Sequence, residues 1–185
     1  MMYILYDTAL NGLYTLNQLQ KAYTINHSLF TGTKDEHLFD VAPYLFSVDE
    51  RFFYNLTDAD FSLKAVVAIE SDITTANLLL HLQHFIYQQK NGQENYFRFW
   101  DARVLVRFFK GSTYEQLNFF FDEIKNFYIP DLEKISAIQY SLKRGKLQSE
   151  ILSLDKIFFL GNDLQEIQTI SETKEQQKKE RTFFK

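Results

Sequence analysis

Cysteine is absent from the 185 residues of this chain. That excludes disulfides, thiolate nucleophiles and cysteine-ligated zinc together, and it fits a protein of a reducing compartment. Excess positive charge is also missing: the net charge is -4 and the pI about 5.6. A chain that grips phosphate backbones carries a basic excess, so we expect no nucleic-acid partner. No apolar run approaches the roughly 20 residues that cross a bilayer, so no membrane partner is expected. The opening "MMYILYDTALNG" has no basic leader and meets Asp7 too early for a signal peptide. A cytoplasmic protein is the expectation.

Catalytic signatures are scarce as well. "FTGTKDE" lacks the first glycine and the spacing of a nucleotide loop, and neither an H-E-x-x-H helix nor a G-x-S-x-G elbow occurs. His81 and His84 sit three residues apart, close enough to share a ligand on a helix, but a metal needs a third. His81 reads equally as a buried histidine bonded to a backbone carbonyl. Neither a cofactor nor a metal site is expected.

What the chain has in abundance is aromatic residues: 19 Phe, 11 Tyr and 1 Trp, together 17%. Some of these must fill a core, yet aromatics are also favoured at the buried centres of interfaces. Length and 45% hydrophobic content suit one domain with a proper core.

Periodicity then orders the chain. Met2–Tyr6 reads as a buried strand and 11–23 as a helix. "HSLFTGT" reads as a strand closing in a turn, with Gly32 free to take positive φ. "DVAPYLFSV" contains a strand whose Pro43 removes one amide donor, which suits a strand start or edge. "LKAVVAIES" is a β run. "SDITTANLLLHLQHFIYQQKNG" predicts one long helix, capped by Ser71 or Asp72 and stopped at Asn91-Gly92. "YFRFW" predicts a strand and 102–109 a helix, with "TYEQLNFFFDEI" as another helix. "ISAIQYSLKRGKLQSEIL" predicts a hairpin turning near Arg144-Gly145. Strand and helix in alternation point to an α/β class: a layered sheet with flanking helices, plus a C-terminal hairpin and a polar tail. The domain is expected over 1–163, and 164–185, highly polar, as a tail that is helical or disordered.

Two site readings follow. If the sheet is parallel, Asp7, Asp72 and Asp101 all stand just beyond the C-terminal ends of strands, where ligands of open α/β sheets bind, and three carboxylates there suit a magnesium ion and phosphoryl transfer. Each also reads as a cap for a helix or turn. In "YFRFWDARVL", Asp101 is placed to cap the helix that follows, with Arg98, Arg103 and Arg107 near enough for one to fork against a carboxylate. On that reading the junction is a brace, and Arg107 faces a partner. "LNFFFDEIKNFYIP" is the expected partner surface. Phe119, Phe120 and Phe121 span about 200° of a helix and cannot all face one core.

The junction also carries a resemblance. "FRFWDARVL" is similar to the F-R-F-aromatic-D-P-R-V-L signature of a domain-of-unknown-function family of type VI secretion adaptor proteins, or effector chaperones. Tyr3–Asp7 resembles its "Y-x-L-x-D" strand, Leu29–Thr33 its "L-F-x-G-T" element and Ala42–Leu45 its "A-P-Y-L" strand. Ser71 and His81-Leu82 match a helix that usually reads "S … H-L-R". Ala102 stands in place of the usual proline and Gln83 of the usual arginine. The resemblance implies a non-enzymatic adaptor whose partners are a toxic effector and the spike protein at the tip of the secretion tail. A magnesium-dependent phosphoryl-transfer enzyme and a toxin-binding immunity protein are the alternatives.

Overall fold

The structure, a computed structural model, describes residues 1–54 and 63–160. Every second residue of β1 (Met2–Asp7) points to the same side, and both sides are apolar. Tyr3 and Leu5 enter one core, Ile4 and Tyr6 the other, and all four are fully buried. Such a strand belongs in the middle of a covered sheet. It lies between β3 (Pro43–Val48) and β4 (Val67–Ser71) in a seven-stranded sheet. The strand order is β2 (Asn26–Ser28), β3, β1, β4, β7 (Ile124–Asp131), β8 (Ser136–Lys143) and β9 (Lys146–Ser153).

The first core is roofed by three helices, α3 (Thr75–Gln83), α4 (Ala102–Gly111) and α5 (Tyr114–Phe121). They press Leu78, Leu82, Leu105, Phe109, Leu117, Phe120 and Phe121 onto the sheet. The second core lies under α2 (Leu13–Ala22), which follows the single turn α1 (Thr8–Asn11). It adds Phe52, Phe53 and a 3-10 turn at Leu154–Lys156. The α/β class expected from the sequence holds, as a large antiparallel sheet with five helices among the described residues.

Four expectations need correction. The sheet is antiparallel at every pairing, not parallel. The predicted long helix ends at Gln83. Its second half becomes β5 (Tyr87–Lys90), paired in a separate ribbon with β6 (Gln93–Tyr96). Asn91 and Gly92 both have positive φ, 54° and 73°, so they turn a hairpin rather than stop a helix. "YFRFW" is no sheet strand; beyond Tyr96 it runs irregularly, burying Phe99 and Trp100. The helix expected over 11–23 is present as α2 but begins only at Leu13, because Gly12 with φ 86° separates it from the single turn α1.

The hairpin turning at Arg144-Gly145 is there, but β8 and β9 extend the main sheet rather than standing apart. The polar tail expected over 164–185 lies outside the described residues. No helix among those residues is long and apolar enough to cross a membrane.

Candidate functional site: a braced junction and an aromatic groove

The junction at the start of α4 is held by two arginine–carboxylate pairs. Asp101 is the N-cap of α4, and its Oδ1 accepts from the Arg103 backbone N–H at 2.9 Å. The Arg103 side chain closes a two-point fork on the same carboxylate, Nε to Oδ1 at 3.0 Å and Nη2 to Oδ2 at 2.6 Å. Asp101 is buried, and the Arg103 guanidinium foremost, together with the backbone amide, holds its carboxyl below the usual range. Burial alone would push the other way.

Arg98 reaches in the other direction. Its Nη2 donates to Asp7 Oδ2 at 2.6 Å, at the end of β1. Asp7 is fully enclosed while Arg98 remains about half exposed. Asp7 Oδ1 and the neighbouring Thr8 hydroxyl have no hydrogen-bond partner among the described residues. The junction is tied further by the Ala102 N–H, which donates to Ala65 O, and by the Asn11 amide, which bonds Asp7 O and both backbone groups of Lys64.

Asp72 does not join this cluster. In the antiparallel sheet Met2 pairs with Glu70 and Leu5 with Val67, so β4 ends beside the start of β1. Asp72 is thus at the opposite end of the sheet from Asp7, about 17 Å away along a strand. There it pairs with Lys125 at 2.7 Å on the surface. The three-aspartate magnesium centre is therefore not formed. Among the described residues no three His, Asp or Glu side chains gather as a metal-binding group.

His81 is held by structure: its Nε2 is 2.9 Å from Phe120 O, and its ring packs edge-on to Phe85. Gly32 takes φ 73° in the turn after β2, and Pro43 opens β3 opposite Asp7. Gln83, where the resemblance expects arginine, donates its amide to Leu29 O and Thr31 O, 3.1 and 2.7 Å. It thereby pins the "LFTGT" turn to the end of α3.

The three consecutive phenylalanines divide. Phe120 and Phe121 are buried, at 0% and 2% exposure, so they are core residues and not partner contacts. Phe120 stacks on Phe127 of the sheet at 5.3 Å, and Phe121 meets the same ring edge-on. Phe119 is 56% exposed. It stands at the rim of a groove of about 410 Å³, with Phe85, Tyr96, Phe97, Phe108 and His84 along the lining. These rings are fixed from below. Phe97 rests on Phe108 at 4.7 Å, Phe85 and Phe108 both rest on Phe120, and His84 and Phe85 flank Phe119. Gln88 and Gln116 complete the lining, which contains no Asp, Glu, Lys or Arg among the described residues. Leu80, one turn before His84 on α3, is 66% exposed and extends the apolar surface.

Sequence reasoning overlooked the clasp that supports one wall. Asp35 accepts from the hydroxyls of both Tyr87 and Tyr96, joining the β5–β6 ribbon to the turn after β2. Those two donors, Tyr96 first, hold Asp35 below the carboxylate range. Tyr96 is pushed up to about 12, by burial first and then by the Asp35 charge. Nothing local in "TKDEH" marks Asp35, because its partners lie 52 and 61 residues away.

An antiparallel α/β domain with a braced junction and an aromatic groove is the class these features define. The chain belongs to the family described as Domain of unknown function (DUF4123), whose model matches residues 2–118. Among curated proteins and among solved structures, none matches the chain. The match takes in Asp7, Arg98, Asp101 and Arg103 and ends at α5, one residue before Phe119.

Proposed function

We infer that this protein is a cytoplasmic, non-enzymatic adaptor of a type VI secretion system, binding a toxic effector and helping to load it onto the spike at the tail tip. The observation that carries the reading is the aromatic groove beside Phe119: a cluster of rings held by a packed core and opening to solvent at Phe119 and Tyr96. Aromatic rings such as Phe119 and Tyr96, exposed beside one another on a folded domain, are of the residue types favoured at the centres of interfaces. The family description names no activity, so the adaptor role rests on this groove together with the resemblance of "FRFWDARVL" and its companion motifs to secretion adaptors. The paired carboxylates at the junction are compatible with the same reading, because Arg103 forks Asp101 and Arg98 meets Oδ2 of Asp7, the pattern of a structural brace.

Co-expression with a toxin encoded beside this gene tests the reading. Adaptor action raises the yield of soluble toxin and gives a complex that purifies on a tag carried by this protein. Equal toxin yield with and without it, and no complex, defeats the proposal. A complex in which the toxin's own activity is abolished replaces it with an immunity protein.

A further inference from the structure

Among the described residues, the two edges of the main sheet are built differently. β2 closes one edge with three residues, too short to template another strand. β9 closes the other with eight, in unbroken register with β8 and without proline. The two-residue turn at Arg144-Gly145 fixes which way its backbone faces. Such a turn is closed by a hydrogen-bonded pair, here Lys143 and Lys146, and bonded and non-bonded pairs alternate from there. Gln148, Glu150 and Leu152 therefore bond β8, while Leu147, Ser149 and Ile151 turn their amides and carbonyls outward. No backbone hydrogen bond elsewhere among the described residues uses those outward groups. The side chains of the same three residues lie on the helix-roofed face, opposite Leu142, Tyr140 and Ile138. Ile129, Ile138 and Ile151 form one apolar row across β7, β8 and β9, and Leu142 and Leu147 form another. Both rows run out at the edge, where Ile151 is 75% exposed.

We propose that this edge pairs with β9 of a second copy of the chain, antiparallel about a two-fold axis at Ser149. What selects this occupant is that the strand is complementary to itself. An outward-facing residue bonds only another outward-facing one. Among the antiparallel registers that obey this, the one centred on Ser149 sets Leu147 of each copy opposite Ile151 of the other. Each apolar row then continues across the axis: Ile129, Ile138 and Ile151 of one copy meet Leu147 and Leu142 of the other. Shifting the pairing by two residues either way puts Leu147 against Ser149 or Ser153 and breaks both rows. On the opposite face, the centred register places Lys146 diagonal to Glu150 of the copy, once on each side of the axis. An in-register parallel pair would instead set like charges side by side. About six backbone hydrogen bonds form between the copies. None of the residues involved lines the groove beside Phe119, so the pairing does not rest on the adaptor reading, and the dimer carries two grooves.

Sedimentation velocity of the full chain at up to about 100 µM should show a monomer–dimer equilibrium. Ile151→Lys should weaken association about tenfold or more, because a charge then stands in an apolar row opposite Leu147 of the copy. That side chain is exposed, so unchanged melting of the dilute variant will show that it folds. Lys146→Glu and Glu150→Lys should each weaken the dimer about two- to fivefold, and the double exchange should restore it. The chain has no cysteine, so Ser149→Cys provides a single thiol beside the axis, which a short bis-maleimide joins to its counterpart. Ser153→Cys, carried away from the axis along the strand, should not cross-link. In the wild type, amide exchange at Ser149 and Ile151 should slow as concentration rises. A monomer at every concentration overturns the proposal. So does a dimer that ignores Ile151→Lys, that the double charge exchange fails to restore, or that Phe119→Ser dissolves. Cross-linking through Ser153→Cys rather than Ser149→Cys overturns the register. Amide protection that is independent of concentration overturns the pairing too, since another segment of the same chain then covers the edge.

Discussion

Arg98 and Asp7 are 91 residues apart in sequence and 2.6 Å apart in space. One is half exposed and the other sealed, so the guanidinium brings its charge in from the surface to neutralise a carboxylate that water does not reach. Removing Arg98 leaves a buried charge uncompensated. Arg98→Ala should therefore cost about 2–4 kcal/mol, and Arg98→Lys less, since the ammonium retains the charge but loses the planar donor geometry. Urea unfolding of the two variants checks this; equal, negligible losses would contradict the brace.

Asp101 gives a pH-dependent companion. Asp101→Ala should lower stability by about 1–2 kcal/mol through loss of the α4 cap. Its carboxyl is lowered in the folded state, chiefly by Arg103, so its contribution is complete above the unfolded value near 4. The contribution is then lost as pH falls through the lower folded value. Melting curves of wild type and Asp101→Asn should stay separated at neutral pH and converge in acid. A separation that grows in acid would reverse the assignment.

Neighbouring phenylalanines should part company. Phe120→Ala opens a cavity under both α4 and the sheet and should cost about 3–5 kcal/mol. Phe119→Ala should cost less than about 1 kcal/mol, because that ring is already more than half exposed. Chemical denaturation of the pair decides it, and similar losses would mean that Phe119 is a core residue.

Two hairpin glycines offer a controlled comparison. Gly92 and Gly145 share nearly the same backbone, φ 73° and 75°. A Cβ at Gly92 meets nothing, whereas one at Gly145 falls 3.0 Å from the Tyr114 ring. Gly92→Ala should cost about 1 kcal/mol of backbone strain. Gly145→Ala should cost more, or displace Tyr114, which thermal melting and near-ultraviolet dichroism report. Equal melting temperatures would show that the ring yields freely.

Much of this was legible in the sequence where the signal is local. The β8–β9 turn is announced by Arg144-Gly145, α4 by the Asp101 cap ahead of an apolar stripe, and the α/β class by strand and helix alternating. The strand direction was not legible. β1 and β4 are buried on both faces, so they read as unbroken apolar runs, which is also how parallel strands read. That ambiguity placed Asp72 beside Asp7 in error. The end of α3 was hidden for a related reason. "HFIYQQK" contains no breaker, and what turns it into a strand is distant: Gln83 bonds Leu29 and Thr31, and Tyr87 bonds Asp35. For the phenylalanine run, helical geometry required a division, but only the position of the sheet decides that Phe119 is the outward ring.

The adaptor account meets its most direct test in a three-component reconstitution. Purified spike protein and the neighbouring toxin are mixed with and without this protein, and the mixtures are resolved by size-exclusion chromatography with light scattering. The account predicts one ternary peak that forms only when this protein is present and is lost with Phe119→Ser. Toxin and spike that associate equally well without it, or that both ignore it, would contradict the account.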